Sequence, residues 1–268
     1  NKEWQGKSGL GTYADFVMET DAAVGRVLAA LEASGAADKT LVIFTSDNGC
    51  APYIGVKDLE AKGHFPSGPL RGYKADAWEG GHRVPFVARW PGKIKAGSTW
   101  NHPVCLNDLM ATAAELTGAT IPPNAGEDSV SLVPALLGKS DAPTRDGTIH
   151  QSAGADLAMR QGPWKMIFKA DGSRELYNLA ADLSETKDVL AANAEIATKL
   201  TALMQRHISE GRSTPGAAQK NDFALSIEEA DKGKKGKNGK KAKSAGGGGK
   251  SEAERAKEMA LAANASFD

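Results

Sequence analysis

The stretch "TLVIFTSDNG", Thr40 to Gly49, sets a short apolar run against an acid, an amide and a glycine. The run over 40–45 is continuous and rich in β-branched residues. That pattern predicts a strand buried on both faces, the habit of parallel sheets. Upstream, Tyr13, Phe16, Val17, Val24, Val27, Leu28 and Leu31 recur at helical spacing, and Gly35 follows as a stop signal. An amphipathic helix is therefore predicted over 12–34. A helix feeding a buried strand is half of an α/β unit. In open α/β sheets ligands gather at the carboxyl ends of strands, which is where Ser46, Asp47 and Asn48 stand.

Downstream, residues 49–69 are rich in Gly and Pro and read as a long loop, a type of segment often functional in compact domains. "HRVPFVARW" (82–90) predicts a second strand, with Pro85 pointing to an edge position or an irregular start. "CLNDLMATAAELTG" (105–118) carries Leu106, Leu109, Met110, Ala113 and Leu116 on one helical face and ends in Gly. After Pro143 the pattern changes. "TIHQSA", "LAMRQ", "WKMIFK" and "RELYNL" are short strand-like segments separated by turns, which predicts an antiparallel sheet. "NAEIATKLTALMQRHISEG" (193–211) is a helix suited to covering one face of it. The expected fold class is α/β: the distal part of a mixed, mainly parallel sheet flanked by helices, then a small C-terminal antiparallel sheet with a covering helix. The expected division is 1–142, 143–212 and a low-complexity, mostly disordered tail over 213–268.

The 268 residues are 41% hydrophobic and 25% charged, ordinary globular values. Formal net charge is zero, but residues 232–250 hold eight Lys, seven Gly and no acid, leaving the remainder of the chain at minus eight. Such a run cannot bury enough apolar surface to fold and reads as a solvated linker or a contact for polyanions. Residues 251–265 could be helical locally. Two cysteines are too few for a disulfide framework. No stretch of 18 apolar residues predicts a membrane span, and nothing points to nucleic acid. "NKEWQGKSGLG" begins without Met or signal peptide and reads like the middle of something, so an N-terminal portion is expected beyond it.

Asp47 and Asn48 offer the oxygen ligands that a hard cation such as Ca²⁺ takes, and Gly49 permits the kink that would aim both at one ion. "SDNG" is equally a turn sequence, so these residues alone leave both readings open. The run "GPLRGYKADAWEGGHRVPFVARWPG" (68–92) then sets Arg71, Lys74, Glu79 and Arg83 among glycines. Arg and Lys bind tetrahedral oxyanions, one as a fork and the other as a point charge. Together these describe a metal-assisted site for an anionic ester.

"TLVIFTSDNG", "LRGYKADAWEGGHRVPFVARWPG", "QGPWKMIF" and "ELYNLAADLSETKDV" resemble, in order, the later motifs of type I sulfatases, members of the alkaline-phosphatase-like superfamily. The resemblance covers about residues 8 to 210. It implies hydrolysis of a sulfate ester by a formylglycine, made from Cys or Ser in a C/S-x-P-x-R motif, beside a Ca²⁺ ion (Mg²⁺ as the second choice). It implies that Asp47 and Asn48 are the later pair of metal ligands and that Lys74 contacts the sulfate and the leaving oxygen. Fixed positive groups would stabilise the charge that develops there. It implies a sulfated carbohydrate or aryl sulfate as substrate and a periplasmic or secreted location for the full-length protein.

The chain departs from the family pattern in two respects: its C/S-x-P-x-R match, "SGPLR" (67–71), lies after Asp47 and Asn48 where the family's lies much earlier, and no early Asp-Asp pair is visible. Cys50 begins "CAPYI", whose fifth residue is Ile54 rather than Arg, so Cys50 reads as a packing residue. The chain by itself is then expected to be inactive, with an open apolar edge where other strands would pair. Arg71, Glu79 and Arg83 are expected to brace the lysine loop. His150, at the first strand of the small sheet, is a candidate substrate contact, because the resemblance places that sheet over the site. His82, where the family usually has an apolar or small residue, reads as packing or surface, and Trp164 as core. The competing functions are a phosphodiesterase or phosphonate hydrolase of the same superfamily, and a non-catalytic binding fragment.

Overall fold

Helix α1 (Thr12–Ala33) opens at Gly11, whose φ of 112° excludes most other residues. No side chain caps the helix directly. Instead the carboxylate of Asp15, one turn in, accepts hydrogen bonds from the Gly6 and Ser8 amides and the Ser8 hydroxyl at 2.7, 2.8 and 2.6 Å. These three bonds, the hydroxyl's foremost, hold the Asp15 carboxyl below the usual range. Gly35, at φ 69°, ends the helix region. The computed structural model describes residues 1–222, 225 and 227. The Lys- and Gly-rich run over 232–250 and the segment 251–265 lie outside the described residues. The described residues fall in one compact unit spanning Asn1–Ala230.

Strand β1 (Val42–Thr45) forms where the apolar run predicts it. Its partner is β2 (Phe86–Arg89), and the ladder is antiparallel, with Phe44 opposite Val87. The expectation of a strand buried on both faces in a parallel sheet is not met among the described residues. The chain leaves β1, runs through the long loop and returns beside it in the opposite direction, giving a two-stranded ribbon. One face of that ribbon is open: Phe44 is 39% and Val87 60% exposed. The apolar stripe of α1 is also open at Phe16 and Val27, 62% and 57% exposed. Pro85 stands just before β2, where its missing N–H costs no ladder bond.

The long loop is not structureless. It contains helix α2 (Val56–Ala61), anchored by buried Val56 and Leu59. Helix α3 (Glu79–His82) precedes β2 and is fully buried at Glu79, Gly80 and Gly81. Helices α4 (Asp108–Thr117) and α5 (Val133–Leu136) follow. Arg145 pairs with the buried Asp108 at the start of α4.

The second half is an antiparallel meander, β3 (Thr148–Gln151), β4 (Leu157–Gln161), β5 (Trp164–Phe168) and β6 (Arg174–Asn178). Its side chains alternate by face. Met159, Met166, Phe168 and Leu176 pack on Leu200, Leu203 and Met204 of helix α6 (Ala194–Glu210). On the opposite face Ala158, Ile167 and Tyr177 pack on Ala77 and Trp78. The small sheet is therefore covered on both sides, by α6 and by the segment leading into α3. Past α6 the chain stays ordered further than the expected limit near 212. The buried Arg212 guanidinium binds the carbonyls of Thr214 and Ala217, and the Ser213 amide donates to Asp128. Among the described residues no helix is long and apolar enough to cross a membrane.

Candidate active site

Asp47 and Asn48 follow Ser46, the first residue after β1. The turn they form is locked by backbone contacts that only glycine allows. A Cβ on Gly49 would overlap the carbonyl of Gly80, and the Gly49 amide donates to the Gly81 carbonyl at 3.0 Å. Gly80 is hemmed in by the carbonyls of Arg71 and Gly72, and its own amide donates to Arg71 at 2.8 Å. The strand-end turn, the lysine loop and α3 thus meet backbone to backbone.

Lys74 lies on this junction, its amide donating to the Cys50 carbonyl at 2.8 Å. It is flanked by Gly72 at φ 82° and Ala75 at φ 87°. A non-glycine residue in that region is strained by about 1 kcal/mol, and such strain collects at functional loops. The Asp76 carboxylate, accepting from the Tyr73 amide at 2.9 Å, holds the turn closed. The Ala153 amide of the β3–β4 turn donates to the Ala75 carbonyl at 2.9 Å, tying the small sheet to the same loop. The Lys74 ammonium has no hydrogen-bond or ion-pair partner among the described residues.

Asn48 donates from Nδ2 to the Gly49 carbonyl at 3.1 Å, which leaves its Oδ1 free to accept. Asp47 and Asn48 therefore suit a hard cation in chemistry. They do not complete a site: Ca²⁺ takes six to eight oxygens, and among the described residues no cluster of three His, Cys, Asp or Glu could hold a metal. The pair fits as part of a cation site only. Cys50 does not fit a formylglycine precursor. Its thiol, half-buried beside Tyr13, is pushed up chiefly by burial and stays protonated at neutral pH.

Glu79 is fully buried and receives Lys165 at 3.1 Å, Arg160 at 2.9 Å and Arg83 at 3.3 Å. Burial alone would raise its carboxyl, but Lys165 and Arg160 outweigh it and hold it below the usual range. Lys165 is itself buried and also pairs with Glu185 at 2.9 Å. Glu185 in turn accepts the Glu79 amide at 2.6 Å. Arg71 donates to the Glu185 carbonyl at 2.7 Å and stacks on Trp78 at 3.8 Å. The lysine loop is thus fastened to the small sheet by a buried charge network.

His150 lies in β3 with its ring stacked on His82, centroids 3.8 Å apart and planes 14° from parallel. Both line a cavity of about 770 Å³ with Asp47, Glu79, Arg83 and Arg160. Of the residues predicted from sequence, the cavity wall brings together Asp47, Glu79, Arg83 and His150. Asn48, Lys74 and Arg71 lie outside that wall. Sequence reasoning missed Lys165, Arg160 and Glu185, and treated His82 as isolated. One signal was available: Lys165 interrupts the apolar run "WKMIF" on the same strand face as the buried Ile167.

The sulfatase family model matches residues 1–119. The N-acetylgalactosamine-6-O-sulfatase of Bacteroides thetaiotaomicron is 34% identical over 218 residues, covering 75% of this chain and 42% of that protein. Human arylsulfatase A is 37% identical over 171 residues, covering 62% of this chain and 32% of that protein. A solved sulfatase structure from the glycosaminoglycan-metabolising locus of B. thetaiotaomicron superposes with a TM-score of 0.70 at 32% identity, covering 76% of this chain and 46% of that one. The chain spans less than half the length of each of these relatives.

Proposed function

Since the chain is a type I sulfatase-like protein, we propose that it takes part in the hydrolysis of sulfate esters, with a sulfated carbohydrate as substrate and an aryl sulfate as a surrogate. The observation that carries this is the junction at Gly49. It fixes the oxygen ligands Asp47 and Asn48 and Lys74, whose ammonium has no partner among the described residues, to one backbone knot, with the Lys74 amide held to the Cys50 carbonyl at 2.8 Å. In this reading Asp47 and Asn48 contribute two ligands to a divalent cation, Ca²⁺ by preference. When bound, the cation supplies positive charge to the sulfate oxygens. Lys74 binds a sulfate oxygen and stabilises charge on the leaving oxygen as the S–O bond breaks. Arg83 and Glu79 brace the loop, and Arg71 anchors it to the small sheet. His150 contacts the substrate from the wall of the cavity. In this scheme residues 1–142 form the distal part of the catalytic α/β body and 143–212 a subdomain leaning on it.

The "SGPLR" run at 67–71 lies beyond Asp47 and Asn48, its Ser67 hydroxyl donating to the Gly72 carbonyl at 3.3 Å and its Arg71 to the Glu185 carbonyl at 2.7 Å, so no formylglycine step is assigned to this chain, and the chain by itself is expected to release no sulfate. The B. thetaiotaomicron relative acts, by its name, on N-acetylgalactosamine 6-sulfate, which makes that sugar the first substrate to try. A periplasmic or secreted location fits such a substrate.

The test is to express the complete reading frame in which these residues lie and to assay N-acetylgalactosamine 6-sulfate, 4-nitrophenyl sulfate and 4-nitrophenyl phosphate in parallel. Sulfate release should dominate, and Lys74→Ala should lower kcat at least about 100-fold, the usual loss on removing one charge-stabilising group. Preferential phosphate release, or full activity in the Lys74→Ala enzyme, overturns the reading.

A further inference from the structure

We propose that Glu185 is a positioning residue: from the turn region after β6 it sets α3 and the lysine loop in register, and through them it places Asp47, Asn48 and Lys74. The inference rests on the reading of Asp47 and Asn48 as cation ligands and of Lys74 as the sulfate-binding group, and adds to it the residue that keeps the three together.

Glu185 grips two separate segments of main chain or loop. Its carboxylate accepts the Glu79 amide at 2.6 Å, at the start of α3. Its carbonyl accepts from Arg71 Nη1 at 2.7 Å, and the neighbouring Ser184 hydroxyl donates to the Pro69 carbonyl at 2.6 Å, so the same turn also holds the lysine loop. The next links are main chain. The Gly80 amide donates to the Arg71 carbonyl at 2.8 Å, and the Gly81 carbonyl accepts the Gly49 amide at 3.0 Å. No flexible side chain stands between the backbone of Glu79 and the turn bearing Asp47 and Asn48, so a shift of α3 is passed on rather than absorbed.

The conformation of Glu185 is itself enforced. Its φ of 50° is left-handed, a state that few residues other than glycine adopt. Asp182 holds it there: its carboxylate accepts the Thr186 and Lys187 amides at 2.7 and 2.8 Å, and its carbonyl accepts the Glu185 amide at 3.2 Å. Such strain persists only where the surroundings enforce it, and it collects at functional sites.

Stability alone does not account for the residue. Glu79, facing Lys165, Arg160 and Arg83, is held below the usual carboxylate range. Glu185 is fully buried, with Lys165 at 2.9 Å as its one ion-pair partner among the described residues. Burial outweighs that partner and pushes the Glu185 carboxyl up, so its charge is disfavoured in the fold. What a disfavoured buried charge offers in return is register.

The experiment uses the enzyme expressed from the complete reading frame, as wild type, Glu185→Ala, Glu185→Gln and Lys74→Ala, each well below its melting temperature. It reads Ca²⁺ affinity by calorimetry, kcat and KM for 4-nitrophenyl sulfate, and hydrogen exchange of the cation-free protein. Glu185→Ala should weaken Ca²⁺ binding about tenfold or more, the usual loss when a supporting partner of a metal site is removed. It should lower kcat while KM changes by less than about threefold. Exchange at the Gly49, Lys74 and Gly80 amides should speed up about tenfold more than at the Leu203 and Met204 amides of α6, which report global opening. Glu185→Gln keeps an acceptor for the Glu79 amide and should recover Ca²⁺ affinity to within about threefold of wild type. Should Glu185→Ala fail to fold, Arg71→Met, which removes the donor to the Glu185 carbonyl, takes its place. If all these amides speed up alike while Ca²⁺ affinity and kcat hold, Glu185 serves stability alone and the positioning role falls. If the wild type binds no Ca²⁺, or Lys74→Ala keeps full kcat, the reading of the site fails and the proposal falls with it.

Discussion

A lysine ammonium has three donors and no acceptor, and Lys165 sets its three against Glu79 Oε1 at 3.1 Å, Glu185 Oε1 at 2.9 Å and His82 Nε2 at 3.2 Å. Removing that cation leaves the buried Glu185 without its Lys165 partner, beside a Glu79 that keeps only Arg160 and Arg83. Breaking a buried ion pair from one side typically costs about 3–5 kcal/mol. Lys165→Ala should accordingly lower the urea midpoint steeply; a loss below about 1 kcal/mol would mean that the pair behaves like an exposed one. His82 adds a pH dependence of definite sign. Its pKa is 6.5 in an ordinary setting and about 4 in the fold, through burial first and Lys165 second. Between those values the unfolded chain binds the extra proton, so stability is full above about 6.5 and falls as pH drops toward 4. Urea midpoints at about pH 7.5 and about pH 5 should differ less in His82→Phe than in wild type. An equal drop in both would assign the effect to other groups, His150, His207 and the carboxylates among them. None of this could be read from the sequence, because Glu79 and Lys165 are 86 positions apart and only the fold brings them together.

At the scale of elements, periodicity served well where an element faces a single core. Helix α6 and strands β3 to β6 follow the pattern of "NAEIATKLTALMQRHISEG" and the four short runs before it, since each has one apolar face per period. Helix α2 was invisible, because six residues with only Val56 and Leu59 buried, set among glycines and prolines, carry too little period to register. Strand β1 was legible as a strand but not in its pairing. An apolar run states that faces are to be covered, and not in which direction the neighbour runs. Gly49 of "DNG" was read as permissive of a kink, yet its stronger constraint is contact. Gly49→Ala must push a methyl into the Gly80 carbonyl, and the backbone has nowhere to yield. The variant should unfold at a markedly lower temperature and lose the protection from hydrogen exchange that the Gly49 and Lys74 amides gain from their bonds. Wild-type melting and exchange in Gly49→Ala would refute the interlock.

At the scale of the whole molecule, the two halves of the chain are covered unequally. The small sheet is packed on both faces, whereas α1 and the β1–β2 ribbon expose Phe16, Val17, Val27, Phe44 and Val87. Large apolar side chains clustered in one region of sequence and left open mark a surface prone to association, and a ribbon with open edges invites further strands. The chain by itself should therefore associate as its concentration rises. Sedimentation velocity across about a hundredfold range of concentration should show larger species, and Val87→Lys should shift the distribution toward monomer. A monomer at every concentration would count against that surface being exposed in solution.

The charge network beneath the lysine loop has a further consequence, in how the chain responds to being cut. Residues 141–143 are exposed and join the segment bearing Glu79 to the one bearing Lys165 and Glu185. A protease that nicks the chain there severs a tether, and puts at risk only the contacts of the Asp141 carbonyl with His102 and of the Ala142 amide with the Ser140 hydroxyl. The Arg71, Glu79 and Trp78 contacts with the small sheet are non-covalent and buried, and they do not run through the tether. The nicked protein should migrate as two bands under denaturing conditions and elute as one particle from a native column. The two pieces, produced separately, should find each other again.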